Sequence, residues 1–508
     1  MQWQTLRLWL AALPGQLALP GPLVLPGLPV LLVPLVLPVL SMQVSAAPAA
    51  APMQSPERIV IHAGMLLRRA DQPPERQQTL LVERGRIVAI RPGYLWDQEV
   101  SSGGADPSGG GGSGSGGGGG GSGSGSGSGG GARTGTGSHA SARFIDLSDR
   151  FVLPGLIDLH VHLTTEAAPG EAVRVVTRNA AELALVAAGH ARETLEAGFT
   201  TVLDLGTARR AHNEAIYALR RAIERGEVDG PRLLVAGSPV STTGSSRTGH
   251  WAVDVETAIG PDGVCNGADD CARATRQQIA DGADVINMYN TGSIGDLHLV
   301  TQAMTDSEMK AVVESAHAWG RKVVADGHTP AGINAALKAG ADIVDTAPWL
   351  DNEAISLMKR RGVFLEPHMH AFRVAVADMR SGSTTVADET DSPVLARLKG
   401  VLDHPFSAEI AYRAGISLAY GSDTGIVQHG DNAGDLLELT RIGMSPARAI
   451  QVATLNSAAA LGLQAEIGSL EPGKRADIIA TRGNPLEDLG VLRKISFLMR
   501  DGHVLEAN

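Results

Sequence analysis

Aromatic side chains are scarce: Phe, Tyr and Trp make up 4% of the 508 residues, too few for base-stacking platforms or aromatic sugar grooves. An excess of positive charge is missing too. Lys and Arg number 43 against 54 Asp and Glu, a formal net charge of -11, which argues against the non-specific nucleic-acid binding that Lys and Arg drive. There are two cysteines, Cys265 and Cys271, and no second Cys or His pair stands at a zinc-finger spacing from them. In an exported protein they would close a small loop worth about 2 kcal/mol; the other reading is two free thiols in a turn-rich segment. No Gly-rich phosphate turn follows the first strand of the long α/β region, which disfavours a doubly wound dinucleotide fold. Past residue 41, no apolar run is long enough to span a membrane.

What is present begins with an apolar N-terminus. Arg7 is its one positive charge, and Pro14, Pro20, Pro22, Pro26, Pro29, Pro34 and Pro38 interrupt it, which spoils a continuous spanning helix. Val44-Ser45-Ala46 and Ala47 follow with small residues suited to cleavage, so residues 1–47 read as a signal peptide; a start at Met42 is the alternative. The mature chain is then expected in the periplasm or outside the cell, with no stable membrane span.

Residues 57–153 and 468–508 read as short strands, expected to pair as one β-sandwich. A Gly/Ser insertion, 102–138, interrupts the first set and has no composition for a core. Between them, 154–467 alternates strand and helix. Candidate strands are 156–163, 200–205, 232–236, 285–289, 322–326, 342–346, 363–367 and 417–421, with helices such as 182–196, 307–319 and 331–338 between them. Gly198, Gly320, Gly340, Gly362 and Gly415 stand where helices end. With hydrophobic residues at 43%, the pattern fits an α/β fold, a (β/α)8 TIM-type barrel with the small sandwich beside it.

The chemistry starts at Leu156-Ile-Asp-Leu-His160-Val-His162-Leu. Residues i and i+2 of a strand face one side, so both imidazoles can converge on a metal ion at the C-terminal rim of a barrel. Gly421-Ser-Asp423-Thr-Gly stands at the end of the eighth strand. A carboxylate there could bind the same metal and shuttle a proton to a leaving amine; an N-cap is its bland alternative.

Together, Pro154-Gly-Leu-Ile-Asp-Leu-His-Val-His, Ala197-Gly-Phe-Thr-Thr-Val-Leu-Asp-Leu-Gly, Gly421-Ser-Asp-Thr-Gly, Gly443-Met-Ser-Pro-Ala-Arg-Ala-Ile and Gly468-Ser-Leu-Glu-Pro-Gly-Lys-Arg-Ala-Asp-Ile-Ile resemble the metal-dependent amidohydrolase superfamily, and within it the prolidase-like and imidazolonepropionase-like branch. The resemblance implies a barrel flanked by a β-sandwich, hydrolysis of C–N bonds in dipeptides, acylated amino acids or cyclic amides, and a first metal held by His160, His162 and Asp423.

The departures from that pattern cluster at the second metal. Asn287 stands where the bridging, carboxylated Lys belongs, Asp326 replaces the ligand His of the fifth strand, and Thr346 replaces that of the sixth. One divalent ion is therefore expected, zinc first and manganese or iron as alternatives, with Asp326 or His328 as a further candidate ligand. His328, Tyr289, Asn287, His250 and His370 are candidate substrate contacts. Glu366, His368 and His370 alternate after the seventh strand, which would put them on one face of the rim as replacement ligands or substrate contacts, but ordinary polar loop residues are the favoured reading for them; Arg247, which could pair with a substrate carboxylate, is read as a surface Arg. The expectation is an exported hydrolase of a small-molecule amide through a metal-activated water, with no nucleic-acid partner and with self-association left open. The alternative is a catalytically degenerate barrel that only binds.

Overall fold

The structure is a computed structural model, and it describes residues 58–95, 142–166, 168, 170–207, 209–245, 262–292, 301–381, 393–403 and 407–505. The expected signal peptide, the Gly/Ser insertion, Arg247 and His250 lie outside the described residues.

Both ends of the described chain meet in one seven-stranded sheet. Its strands are β1 (Arg58–Leu66), β2 (Glu75–Glu83), β3 (Arg86–Pro92), β4 (Arg143–Pro154), β13 (Ile478–Thr481), β14 (Phe497–Arg500) and β15 (His503–Leu505). The order is β15-β14-β13-β4-β1-β2-β3. β1 and β4 pair parallel, and the other neighbours pair antiparallel. The start of β3 also bonds to the C-terminal segment, Ile87 N to Lys474 O at 2.9 Å and Gly473 N to Ile87 O at 2.8 Å. The sheet thus wraps a core of its own, with Ile59, Ile61, Leu80, Ile478 and Met499 in it. Sequence patterning suggests a sandwich; the structure joins these strands edge to edge in a single sheet.

β4 runs straight into the α/β region. At Gly155 a Cβ would sit 2.1 Å from Thr200 Oγ1, so only glycine lets β5 (Leu156–Val161) pass beside β6 (Phe199–Asp204). β5, β6 and β7 (Arg232–Val235) form a parallel sheet. A second parallel sheet has the order β12-β11-β10-β9-β8, from β8 (Val240–Ser241), β9 (Val285–Tyr289), β10 (Lys322–Gly327), β11 (Ile343–Thr346) and β12 (Phe364–Glu366). Every residue of β5, β6 and β11 is buried, as parallel strands covered by helices require.

The expected eighth strand takes the form of single bridges. Leu418 bridges to Leu365 and Thr424 to Val161, while Ala419 N donates to Leu365 O and Leu159 N to Tyr420 O, both at 2.8 Å. The 417–424 segment therefore touches β12 on one side and β5 on the other. The helices fall close to their expected places, at Ala180–Glu196, Asp306–Ala318 and Pro330–Ala339. Asn179 and Thr305 close capping boxes at the first two, and Gly362, at φ 67°, ends Asn352–Arg361 in the left-handed conformation. Cys265 and Cys271 are joined by a disulfide.

Candidate metal centre

Asp158 and His160 share one face of β5, and His162 follows just past its end. The Asp158 side chain is fully buried, and four donors satisfy it. Oδ1 accepts from His160 N at 3.1 Å and Ser422 N at 3.0 Å; Oδ2 accepts from Ser422 Oγ at 2.5 Å and Asn432 Nδ2 at 2.9 Å. Burial nevertheless pushes its carboxyl up to about 6. These bonds lock the 420s loop to the first strand, and Asp423 N closes the link on His160 O at 2.9 Å. Asp423 has φ 56°, a left-handed backbone that a non-glycine residue adopts only when its surroundings enforce it. That turn aims its carboxylate at the histidine pair.

The result is a tight triangle of ligand atoms. His160 Nε2 lies 3.1 Å from His162 Nε2 and 3.3 Å from Asp423 Oδ1, and His162 Nε2 lies 3.6 Å from the same oxygen. A triangle with these sides has a circumradius of about 1.9 Å, so a point about 2.0–2.2 Å from all three atoms exists, as zinc ligation requires. Burial would raise the Asp423 carboxyl, but His160, His368 and His162 outweigh it and hold it below the usual carboxylate range. Burial and the neighbouring His160 push His162 down to about 4, so it is a neutral donor at ordinary pH.

The other edge of the His160 ring faces a second cluster. Nδ1 lies 3.2 Å from Asp345 Oδ1 and 3.6 Å from Glu366 Oε1. His368 Nδ1 faces the same two oxygens at 3.4 and 3.7 Å. Against the opposing effect of burial, Asp345 and Glu366 raise His368 to about 9. Thr346 and His368 share the positive φ of Asp423, at 66° and 27°, so the chain is strained where three successive strand ends meet the site.

The remaining expected residues lie around this core. Asp326 accepts from Thr346 Oγ1 at 3.1 Å and lies 3.5 Å from His328 Nδ1. It belongs to neither group of atoms lying within 4.8 Å of one another, His160-His162-Asp423 or His160-Asp345-Glu366-His368. Asn287 donates to Leu205 O at 3.0 Å, and Tyr289 sits beside Asp326 in the β9–β10 register. His370 is turned elsewhere, with Nε2 3.2 Å from Asp431 and its backbone N on Asp435.

Reading Glu366 and His368 as ordinary loop polar residues needs correction: both are buried against His160. His370 does not join them, because a helix starts at Met369 and ends the strand alternation. Asp345 and Asp158 were missed as site residues. The sequence signal for Asp345 is an acid beside Thr346 at the end of a strand that opens with Ile343 and Val344; for Asp158 it is an acid two residues before the first histidine.

Residues 151–506 match the amidohydrolase family along its full α/β region and into the C-terminal strands. The chain belongs to that family. Over 372 residues it is 29% identical to ochratoxinase from Aspergillus niger, covering 68% of this chain and 72% of that protein. Over 366 residues it is 26% identical to 5-methylthioadenosine/S-adenosylhomocysteine deaminase from Symbiobacterium thermophilum, covering 67% of this chain and 74% of the deaminase. A solved Xaa-Pro dipeptidase with bound methionine superposes at TM-score 0.73 with 28% identity, over 88% of this chain and all of the dipeptidase. This amidohydrolase is a hydrolase of amide-type carbon–nitrogen bonds, and it carries candidate ligand groups for a divalent metal.

Proposed function

We propose that this amidohydrolase is an exported enzyme that uses one metal at the strand ends to cleave a dipeptide or N-acyl amino acid. We read its α/β region, 154–467, as a closed (β/α)8 barrel flanked by the seven-stranded sheet. The observation that carries the proposal is the convergence of His160 Nε2, His162 Nε2 and Asp423 Oδ1, three ligands that leave a fourth position open.

A divalent ion held there, with zinc the first choice, would polarise the scissile carbonyl and make water a better nucleophile. Asp423, kept ionised by the imidazoles around it, is the base that takes a proton from the attacking water and returns it to the leaving nitrogen. Asp158 fixes the angle between Asp423 and the histidines. Asp326, His328 and Tyr289 stand at neighbouring strand ends and are read as contacts for the substrate's polar groups; His250 belongs to the same reading, from its loop.

The likeness to a Xaa-Pro dipeptidase supports a dipeptide-type substrate. The disulfide supports export, since such bonds persist in oxidising compartments. No helix among the described residues is long and apolar enough to cross a membrane.

The test is turnover of a panel of dipeptides and N-acyl amino acids, before and after dialysis against a chelator and on re-addition of zinc, manganese or iron. Asp423→Asn is expected to lower kcat about 100-fold or more, and His162→Ala to abolish metal-dependent turnover. Full turnover by Asp423→Asn, or none in the wild type with any of the three metals, would overturn the reading. The second outcome would favour a barrel that only binds, which the replacements Asn287, Asp326 and Thr346 suggest.

A further inference from the structure

The cluster beneath His160 raises a separate question of charge. Asp345 and Glu366 are both fully buried, and His368 and His160 are 3% and 5% exposed. Neither carboxylate oxygen of Glu366 makes a hydrogen bond, nor does Asp345 Oδ2 or His368 Nδ1. Buried polar atoms are rarely left without partners, and an uncompensated buried carboxylate is costly. Here two carboxylates share one pocket, and the groups facing them are aromatic nitrogens rather than Arg or Lys.

The separations fit a cation. Four ligand atoms at about 2.0–2.2 Å from a tetrahedral ion lie about 3.3–3.6 Å from one another. In this pocket the four nitrogen–oxygen edges are 3.2, 3.4, 3.6 and 3.7 Å, and all four atoms lie within 4.8 Å of one another. Two carboxylates, the neutral His368 imidazole and the imidazolate that His160 becomes on binding through both ring nitrogens carry a charge of about −3, which the inner divalent ion and a share of the outer one offset. Four protein ligands and almost no exposure describe a closed, structural kind of site, in contrast to the three-ligand site above it.

We propose that His160 Nδ1, Asp345, Glu366 and His368 form a second, buried site for a divalent transition metal such as zinc, joined to the strand-end site through the His160 ring. One imidazole would then offer Nε2 to the outer ion and Nδ1 to the inner one, having released its ring proton to solvent. The nitrogen and oxygen donors suit zinc or iron better than calcium or magnesium. This site owes nothing to the ligands replaced at Asn287, Asp326 and Thr346. It uses the strand ends of β11 and β12 in their place.

The experiment is metal content by mass spectrometry of the full chain purified from zinc-supplemented cells, followed by timed release to a chelator. The wild type is expected to hold two zinc ions per chain and lose them in two phases, the inner one slower by tenfold or more. His162→Ala should keep only the slow ion, while Glu366→Gln and His368→Ala should keep only the fast one. Should either of those two variants unfold, cobalt loading of the wild type gives an independent reading, with strong tetrahedral absorption for two equivalents. One zinc per chain in the wild type, released in a single phase, would overturn the proposal, as would two zinc ions retained by both folded Glu366→Gln and His368→Ala. A single ion lost in His162→Ala together with turnover would refute the inner site and leave the proposed function standing.

Discussion

At the scale of single residues, Asp158 is the part on which the others depend. Its four hydrogen bonds hold His160, Ser422 and Asn432 in one frame, so Asp423 inherits its position from a residue that touches no ligand atom. Asp158→Asn keeps the shape but replaces one acceptor with a donor facing the Ser422 and Asn432 donors. We expect metal affinity and kcat to fall together, about 10- to 100-fold, measured by metal titration and by turnover with saturating metal. A fall in thermal stability alone, with kcat unchanged, would make Asp158 a purely structural residue.

His429 makes a pH prediction. It is buried, stacked on His190 at 4.2 Å, and its Nε2 lies 2.9 Å from Thr165 O. Burial and then His190 push it down to about 3 from 6.5. Because the folded value lies below the unfolded one, the unfolded chain binds the extra proton. The stability this group contributes is complete above pH 6.5 and is lost as pH falls towards 3. Melting temperature should therefore drop below pH 6.5, and His429→Gln should make that drop shallower; an unchanged slope in the variant would remove His429 as its source.

At the scale of elements, the site is made by what happens just after the strands. The alternation of Glu366, His368 and His370 is readable in the sequence, but a helix starting at Met369 lets only the first two face inward. A π-helical turn, Val452–Asn456, does similar work from behind. It brings Asn456 Nδ2 to Leu418 O at 2.8 Å and, just after it, Ser457 Oγ to Tyr420 N at 2.9 Å, holding the segment that carries Asp423. No spacing rule announces such a turn, because its extra residue per turn answers to packing.

Gly421 shows how closely these pieces meet. A Cβ there would lie 1.4 Å from Glu366 Oε1, so Gly421→Ala must drive Glu366 out of its pocket. The expected cost is about 1–3 kcal/mol in denaturant unfolding. The double variant Gly421→Ala/Glu366→Ala should cost less than the two single changes added together. Strict additivity would mean that the two residues do not meet.

At the scale of the whole molecule, the seven-stranded sheet is tied to the parallel strands by charge as well as by chain. Arg232, on β7, reaches Asp477 at 2.7 Å and Asp501 at 2.5 Å, with Asp477 N-terminal to β13 and Asp501 between β14 and β15. Arg232→Ala leaves Asp477, 5% exposed, without its cation, while Asp501 keeps Arg475 at 2.7 Å. We expect a loss of about 3 kcal/mol, visible as a lower unfolding midpoint with turnover retained at low temperature. Loss of turnover in the folded variant would instead couple this joint to the candidate metal centre.

The sequence by itself determined the alternation of strands and helices, the meeting of the two strand-rich ends, and the pairing of His160 and His162 with Asp423. Each of these is written in local spacing: period two for strands, glycine at helix ends, and a motif at a strand terminus. It also exposed the replacements Asn287, Asp326 and Thr346, since those are identities at known positions. Only the tertiary structure decided that Asp158 organises the centre and that Asp345, Glu366 and His368 gather beneath His160. Those residues are far apart in the chain, from 158 to 368, and no local spacing says that they meet. They become one site because parallel strands in register place their ends side by side, and because positive φ at Thr346, His368 and Asp423 turns the chain where each strand stops.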